Sequence, residues 1–143
     1  MTNARAIVDA DYRRLLMVRT GLRQFERWSA DQAAAQGLTG TQHQLLLAIR
    51  GHEEKPGPTI GQIADYLLIR HHSAVELIDR TERAGLIGRF RDEDDRRVVR
   101  LRLEPRGADI LESLTSAHLE ELGRLEPLFN TLIGTLAEQQ VAN

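Results

Sequence analysis

Between residues 86 and 107 the hydrophobic period of this chain changes, and no other feature limits its fold as strongly. The segment reads LIGRFRDEDDRRVVRLRLEPRG. Leu86, Ile87 and Phe90 lie on one side of an acidic cluster; on the other, Val99, Leu101 and Leu103 alternate with Arg100 and Arg102. Alternation with a period of two belongs to a strand, so the spacing predicts a two-stranded hairpin with a charged tip. Pro105 then suits the first turn of a new helix, where its missing N–H removes no hydrogen bond.

The rest of the pattern is helical. Residues 6 to 36 read as one long helix, with Leu15, Val18, Leu22, Phe25 and Trp28 at spacings of three and four and no proline between them. Gly37 can end it. Thr39 with Gln42 forms a capping box ahead of the apolar run Leu45 to Ile49. After the loop GHEEKPGP, Thr59 with Gln62 repeats the device ahead of Ile60, Ile63, Ala64 and Leu67. A second short helix follows over residues 70 to 84. Ala74, Val75, Leu77, Ile78, Thr81 and Ala84 form its buried side, and Gly85 is its stop. Two short helices joined by a tight turn make a helix-turn-helix candidate. From Ile110 to Leu136 apolar residues again recur at helical spacing, and Pro127 is expected to divide this region into two helices.

The fold class is therefore mainly α: a winged helix-turn-helix with long N- and C-terminal dimerisation helices and a two-stranded β-wing. We place the N-terminal helix at residues 1–36, the winged lobe at 37–106 and the C-terminal helices at 107–143. The flanking helices carry more apolar stripe than one small domain covers, so a homodimer is expected.

With no cysteine, the chain has no disulfide, thiolate metal site or cysteine nucleophile. No apolar run approaches the ~20 residues of a membrane span, and the N-terminus lacks a signal-peptide pattern, so a cytoplasmic protein without membrane contact is expected. The net charge is −2, but from Arg70 to Arg106 ten arginines stand against eight acids. Arginine suits bidentate contacts with phosphates and guanine edges.

Taken in order, LTGTQHQLLLAI, TIGQIADYL, HHSAVELIDRTERAGLIGR and RDEDDRRVVRLRLEPRG resemble successive segments of the MarR (multiple antibiotic resistance regulator) family, over about residues 38 to 111. The most specific part is the wing, with Asp95, Arg97, Leu103 and Gly107 on the family's pattern. The resemblance implies a dimeric transcription regulator, usually a repressor on a palindromic operator, often relieved by a small aromatic ligand. It also implies that the helix at 70–84 enters the major groove of double-stranded DNA and the wing the adjacent minor groove. Where the family commonly carries an acidic or hydroxyl helix cap, this chain has Arg70, which leaves open a later start with Ser73 as cap and Glu76 as its partner in a third capping box. Thr81 replaces a common leucine, and Glu104 stands where a threonine is usual.

The residues themselves support a DNA face. A helix N-terminus presents free N–H groups and partial positive charge to anions, and Arg70, His71, His72 and Ser73 add donors there. Whether Arg70 and the histidines touch bases or phosphates stays open. Adjacent histidines point about 100 degrees apart on a helix, so they do not share one metal ion, and neither metal nor cofactor is expected. Arg97 at the wing tip suits a narrow minor groove, oriented by a bidentate pair with Asp95, while Arg96 follows phosphates. Arg80 joins the DNA-contacting set, as do Thr39 and Thr59, whose hydroxyls are equally explained by capping. Asp92, Glu93 and Asp94 are expected to turn outward or to pair with Arg89 and Arg91. By resemblance, Tyr12, Arg19, Trp28 and His43 are conceivable ligand contacts, although core packing is the better reading of Trp28.

Two rival readings remain. A winged-helix protein-interaction module without DNA binding is favoured by Glu76 and Asp79 on the helix at 70–84. A small hydrolase using His71 or His72 with Asp65 lacks a nucleophile and a glycine-rich loop, so no enzyme is expected.

Overall fold

The computed structural model describes residues 5–141, with side chains as far as residue 134. Leu136, the last apolar position of the predicted C-terminal repeat, lies outside the described side chains. Among the described residues the order is α1 (Asp9–Ala35), α2 (Gly40–Gly51), α3 (Ile60–Leu67), α4 (His71–Arg83), β1 (Ile87–Arg91), β2 (Val99–Leu103) and α5 (Pro105–Val141). This is the mainly helical winged-helix architecture that the period change predicts.

Local chemistry sets most helix ends. Thr39 and Thr59 accept from the backbones of Gln42 and Gln62, whose side chains accept from the threonine N–H groups, so both capping boxes are closed. At the other ends α1, α3 and α4 finish alike. The N–H of Leu38 reaches the carbonyl of Ala33, that of Ile69 reaches Ala64, and that of Leu86 reaches Thr81. Each such closure needs one left-handed residue just past the helix. Gly37 (φ 78°) and Gly85 (φ 76°) supply it at the first and third ends. Leu68 (φ 54°) supplies it at the second, where a side chain costs about 1–2 kcal/mol. No glycine marks that turn, so the sequence pattern gave no sign of it.

One compact unit spans residues 30–116. Its core joins Leu45, Leu46 and Ile49 of α2, Ile63 of α3, Leu77 and Ile78 of α4, Leu86 and Ile87 at the wing foot, Leu101 of β2, and Leu111 and Leu114 of α5. Each fully buried leucine or isoleucine contributes about 1.5–3 kcal/mol through lost water contact. Thr81, in place of a common leucine, is fully buried and donates its hydroxyl to the Leu77 carbonyl at 2.7 Å, so its polar atom is satisfied. Val75 is only half-buried and Ala84 and Leu47 are exposed, which narrows the buried faces expected for these helices. The hairpin pairs Ile87 with Leu103 and Arg91 with Val99 in antiparallel register. Along its other edge, the Leu101 N–H donates to the Pro58 carbonyl at 2.9 Å, which ties β2 to the segment before α3.

The second unit comprises residues 1–29 and 117–143. Trp28 stacks on Phe25 with centroids 5.9 Å apart and leans on His118 at 4.8 Å. Pro127 does not divide α5, contrary to expectation: the helix runs unbroken from Pro105 to Val141. A proline inside a helix costs about 3 kcal/mol or more, through one lost hydrogen bond and a clash with the carbonyl four residues back. Here that carbonyl belongs to Gly123. Beyond the proline, Phe129 packs at the position a side chain on Gly21 of α1 would occupy, so tertiary contact holds the continuation. Among the described residues no helix is long and apolar enough to cross a membrane.

Candidate nucleic-acid interface

The start of α4 has no side-chain cap. Arg70 occupies the cap position in extended conformation (φ −71°, ψ 152°) and makes no side-chain cap hydrogen bond. The first helical bond runs from the Ala74 N–H to the Arg70 carbonyl, so the N–H groups of His71, His72 and Ser73 precede any intrahelical partner. Ser73 therefore lies inside the first turn and is not the cap, and the Ser73–Glu76 capping box is not formed. The helix begins early because the closure of α3 through Leu68 and Ile69 already fixes the backbone up to Arg70. Arg70, His71 and His72 are exposed, and Ser73 is half-buried.

The stripe of α4 opposite the core follows from its spacing. Ala74, Leu77, Ile78 and Thr81 are buried, so His72, Glu76, Asp79 and Arg83, recurring at four, three and four residues, line the outward side. Arg80 is exposed beside this stripe.

The wing tip is built around Asp92. One of its carboxylate oxygens accepts the N–H groups of Asp94 and Asp95, each at 2.9 Å, and the other accepts Arg100 Nε at 2.5 Å. Arg100 also donates to the Gly57 carbonyl at 2.8 Å, so the tip is anchored to the loop before α3. The N–H donors of Asp95 first, then the Arg100 guanidinium, hold the Asp92 carboxyl below the usual aspartate range. Asp92 thus neither turns outward nor pairs with Arg89 or Arg91, contrary to expectation. Asp92 is buried on Arg100, while Arg91 donates to the Arg96 carbonyl at 2.8 Å. Glu93 and Asp94 are exposed.

A group whose pKa is depressed by folding stabilises the fold above its unfolded value and loses that contribution as pH falls through the folded one. Asp92→Asn is therefore expected to unfold at lower temperature than the parent at neutral pH, and the gap should close below the ordinary aspartate range. Thermal melts at several pH values check this. A gap that persists unchanged into acid would show that the charge of Asp92 is not what holds the tip.

Above this base Arg97 stands out with its side chain 91% exposed. Its Nε and one terminal nitrogen donate to the two oxygens of Asp95 at 3.1 and 3.2 Å, and its backbone N–H also reaches Asp95. These contacts, the Arg97 side chain first, lower the Asp95 pKa and keep it an anionic brace. Arg96 is exposed beside it.

Sequence reasoning missed the link between wing and helix. Arg89 of β1 donates to Asp79 at 2.5 Å and to Glu82 at 2.7 Å, both on α4. The contact with Asp79 is the main reason its pKa is raised, so it stays charged. Only the fold brings residues seven and ten positions apart on different elements together. Asp92 was more legible, because an aspartate accepting N–H groups two and three residues on is a turn signal in itself.

The remaining candidates are scattered. The hydroxyls of Thr39 and Thr59 are engaged as caps, and Thr59 also bridges to Arg100 of β2. Tyr12 and Arg19 are exposed on α1, and Trp28 is half-buried against Phe25 and His118. His43 is buried in the lobe.

Two short helices with a bare helix end, and a hairpin with a braced arginine at its tip, define a winged helix-turn-helix protein. Residues 36–98 match the model of the MarR family, so the resemblance read from the sequence is borne out, and the chain has the winged-helix fold of MarR family transcription regulators. The Bacillus subtilis HTH-type transcriptional regulator YsmB is 34% identical over 64 residues, which are 45% of this chain and 44% of that protein. Among solved structures, the S. aureus MepR–DNA complex superposes with a TM-score of 0.69 at 19% identity, covering 96% of this chain and all of that one. AbsC, a MarR family transcriptional regulator from Streptomyces coelicolor, gives 0.72 at 18% identity over 98% of this chain and all of its own. At such identities these structures speak to the fold.

Proposed function

We propose that this chain is a sequence-specific DNA-binding transcription regulator, acting as a homodimer on a palindromic operator and as a repressor relieved by a small aromatic ligand. One observation carries the reading: the uncapped start of α4 leaves Arg70, His71 and His72 exposed on the helix to which the arginine-tipped wing is tied. In this reading α4 enters the major groove and the wing the adjacent minor groove. His71 and His72 belong to the first helical turn, which suits base edges, and Arg70 precedes it, which suits a phosphate. Ser73, Arg80, Arg96, Thr39 and Thr59 are proposed contacts to the DNA backbone.

Support for the dimer comes from the flanking helices. Leu15, Leu16, Met17 and Leu22 on α1 and Leu119, Leu122, Leu128 and Ile133 on α5 are each at least 47% exposed. A second copy is the partner that covers them in this reading, and it would present two recognition helices to half-sites about 34–36 Å apart. The ligand contacts proposed for Tyr12, Arg19, Trp28 and His43 rest on the family resemblance. Trp28 is the single tryptophan, so quenching of its fluorescence by a phenolic acid tests them cleanly.

The deciding experiment is a fluorescence-anisotropy titration with the intergenic DNA upstream of the protein's own gene, run over a salt series. Binding that weakens steeply with salt is expected, because arginine–phosphate contacts release counterions. Absence of binding at low salt would overturn the proposal. It would favour the interaction-module reading, for which the exposed Glu76 on the outward stripe of α4 speaks.

A further inference from the structure

Three arginines at or on α4 (Arg70, Arg80, Arg83) are balanced by three acids (Glu76, Asp79, Glu82), so by its own residues the recognition helix carries no net positive charge. Asp79 even lies on the outward stripe with His72. A DNA-reading helix of this kind would set its own carboxylates against the phosphates.

We propose that Arg89 is a positioning residue of the DNA face: lying across the side of α4, it engages the carboxylates of Asp79 and Glu82 and withdraws their charge from that face. The inference rests on the DNA-binding reading above. Its geometry is that of a clamp, with one guanidinium donating to both acids at 2.5 and 2.7 Å from a neighbouring strand. With the clamp closed, Glu76 is the single acid on α4 left outside it, and the three arginines outweigh it. Magnitude separates this role from simple bracing. The side chains of Asp79 and Glu82 are 46% and 38% exposed, and ion pairs this open to water contribute little to folding. The same two charges, aimed at a polyanion, act directly on binding.

The direct test compares Arg89→Gln, Arg89→Lys, and Arg89→Gln combined with Asp79→Asn and Glu82→Gln, by anisotropy on the upstream duplex and by thermal melts. Arg89→Gln should weaken DNA binding about tenfold at low salt, the scale of two carboxylates freed near a phosphate backbone, and the loss should shrink as salt rises. Arg89→Lys keeps the charge and should remain near the parent. The triple variant, with no acid left to mask, should recover most of the lost affinity. If Arg89→Gln binds as the parent does, or if the triple variant melts normally yet stays weak, Arg89 is a strut or a bystander and the inference falls. If Arg89→Gln fails to fold, a strong loss of affinity in a folded Arg89→Lys would overturn it equally. Should the parent itself not bind, the functional reading fails first, and the inference with it.

Discussion

Arg97→Ala is expected to lower affinity for the DNA of the proposed function by about 1–3 kcal/mol, roughly five- to 150-fold, while leaving the melting temperature almost unchanged. The two halves of this expectation come from one geometry. The side chain is 91% exposed, so its removal uncovers no core, and its pair with Asp95 is worth about 0–1 kcal/mol to the fold. For the proposed groove contact the same exposure is the point, since the guanidinium is free to enter and Asp95 holds it against rotation. A narrow minor groove concentrates negative potential, which is where an arginine gains most. Asp95→Asn, which keeps the turn's acceptor but loses the charge, should fall between the parent and Arg97→Ala. Anisotropy titrations of the three proteins on one duplex, together with their melts, make the check. Equal affinities for parent and Arg97→Ala would remove the wing tip from the interface.

Gly107→Ala is expected to destabilise the lobe by about 2 kcal/mol or more, whereas Gly123→Ala, further along the same helix and in the second unit, is expected to stabilise that unit by up to about 1 kcal/mol. Both glycines are helical, so alanine improves the propensity at each. What differs is the space. A Cβ at Gly107 would run into the Leu86 carbonyl oxygen and lie 3.0 Å from its carbon, whereas at Gly123 nothing stands within 4 Å. Nor can Leu86 retreat easily. Its carbonyl accepts the Glu104 N–H at 2.9 Å, and Arg106 clamps the neighbouring Ala84 carbonyl at 2.7 Å. Overpacking against backbone therefore outweighs the gain in propensity. Since a domain is stable by only about 5–15 kcal/mol, a loss of this size is visible in urea or thermal unfolding. A Gly107→Ala protein as stable as its parent would mean that the first turn of α5 can lift off the wing foot.

These two residues also mark the limit of what sequence could reveal. Gly107 was identified through the family pattern of the wing, but its steric reason lies in a contact with Leu86, twenty-one positions back. Capping boxes were legible because their partners are three residues apart, and the hairpin because its period is local. The cap of α4 was not. Ser73 and Glu76 have the right spacing, yet the chain enters the helix at Arg70 because α3 ends through a left-handed Leu68. For the proposed function that placement matters, since it puts both histidines in the first turn. Pro127 misled in the same way: its local cost is real, and packing of Phe129 against Gly21 overrides it.

By itself, the sequence determined the element types, two of the three short-helix starts expected, the glycine stops and the braced arginine of the wing tip, all set by interactions within a few residues. Tertiary structure alone decided that Asp92 is buried on Arg100, that Gly57 and Pro58 hold the wing, and that Arg89 clamps Asp79 and Glu82. These are pairings of charges and carbonyls from separate elements. With ten arginines and eight acids between residues 70 and 106, many pairings are chemically acceptable, and only the packing of the core beneath them selects one.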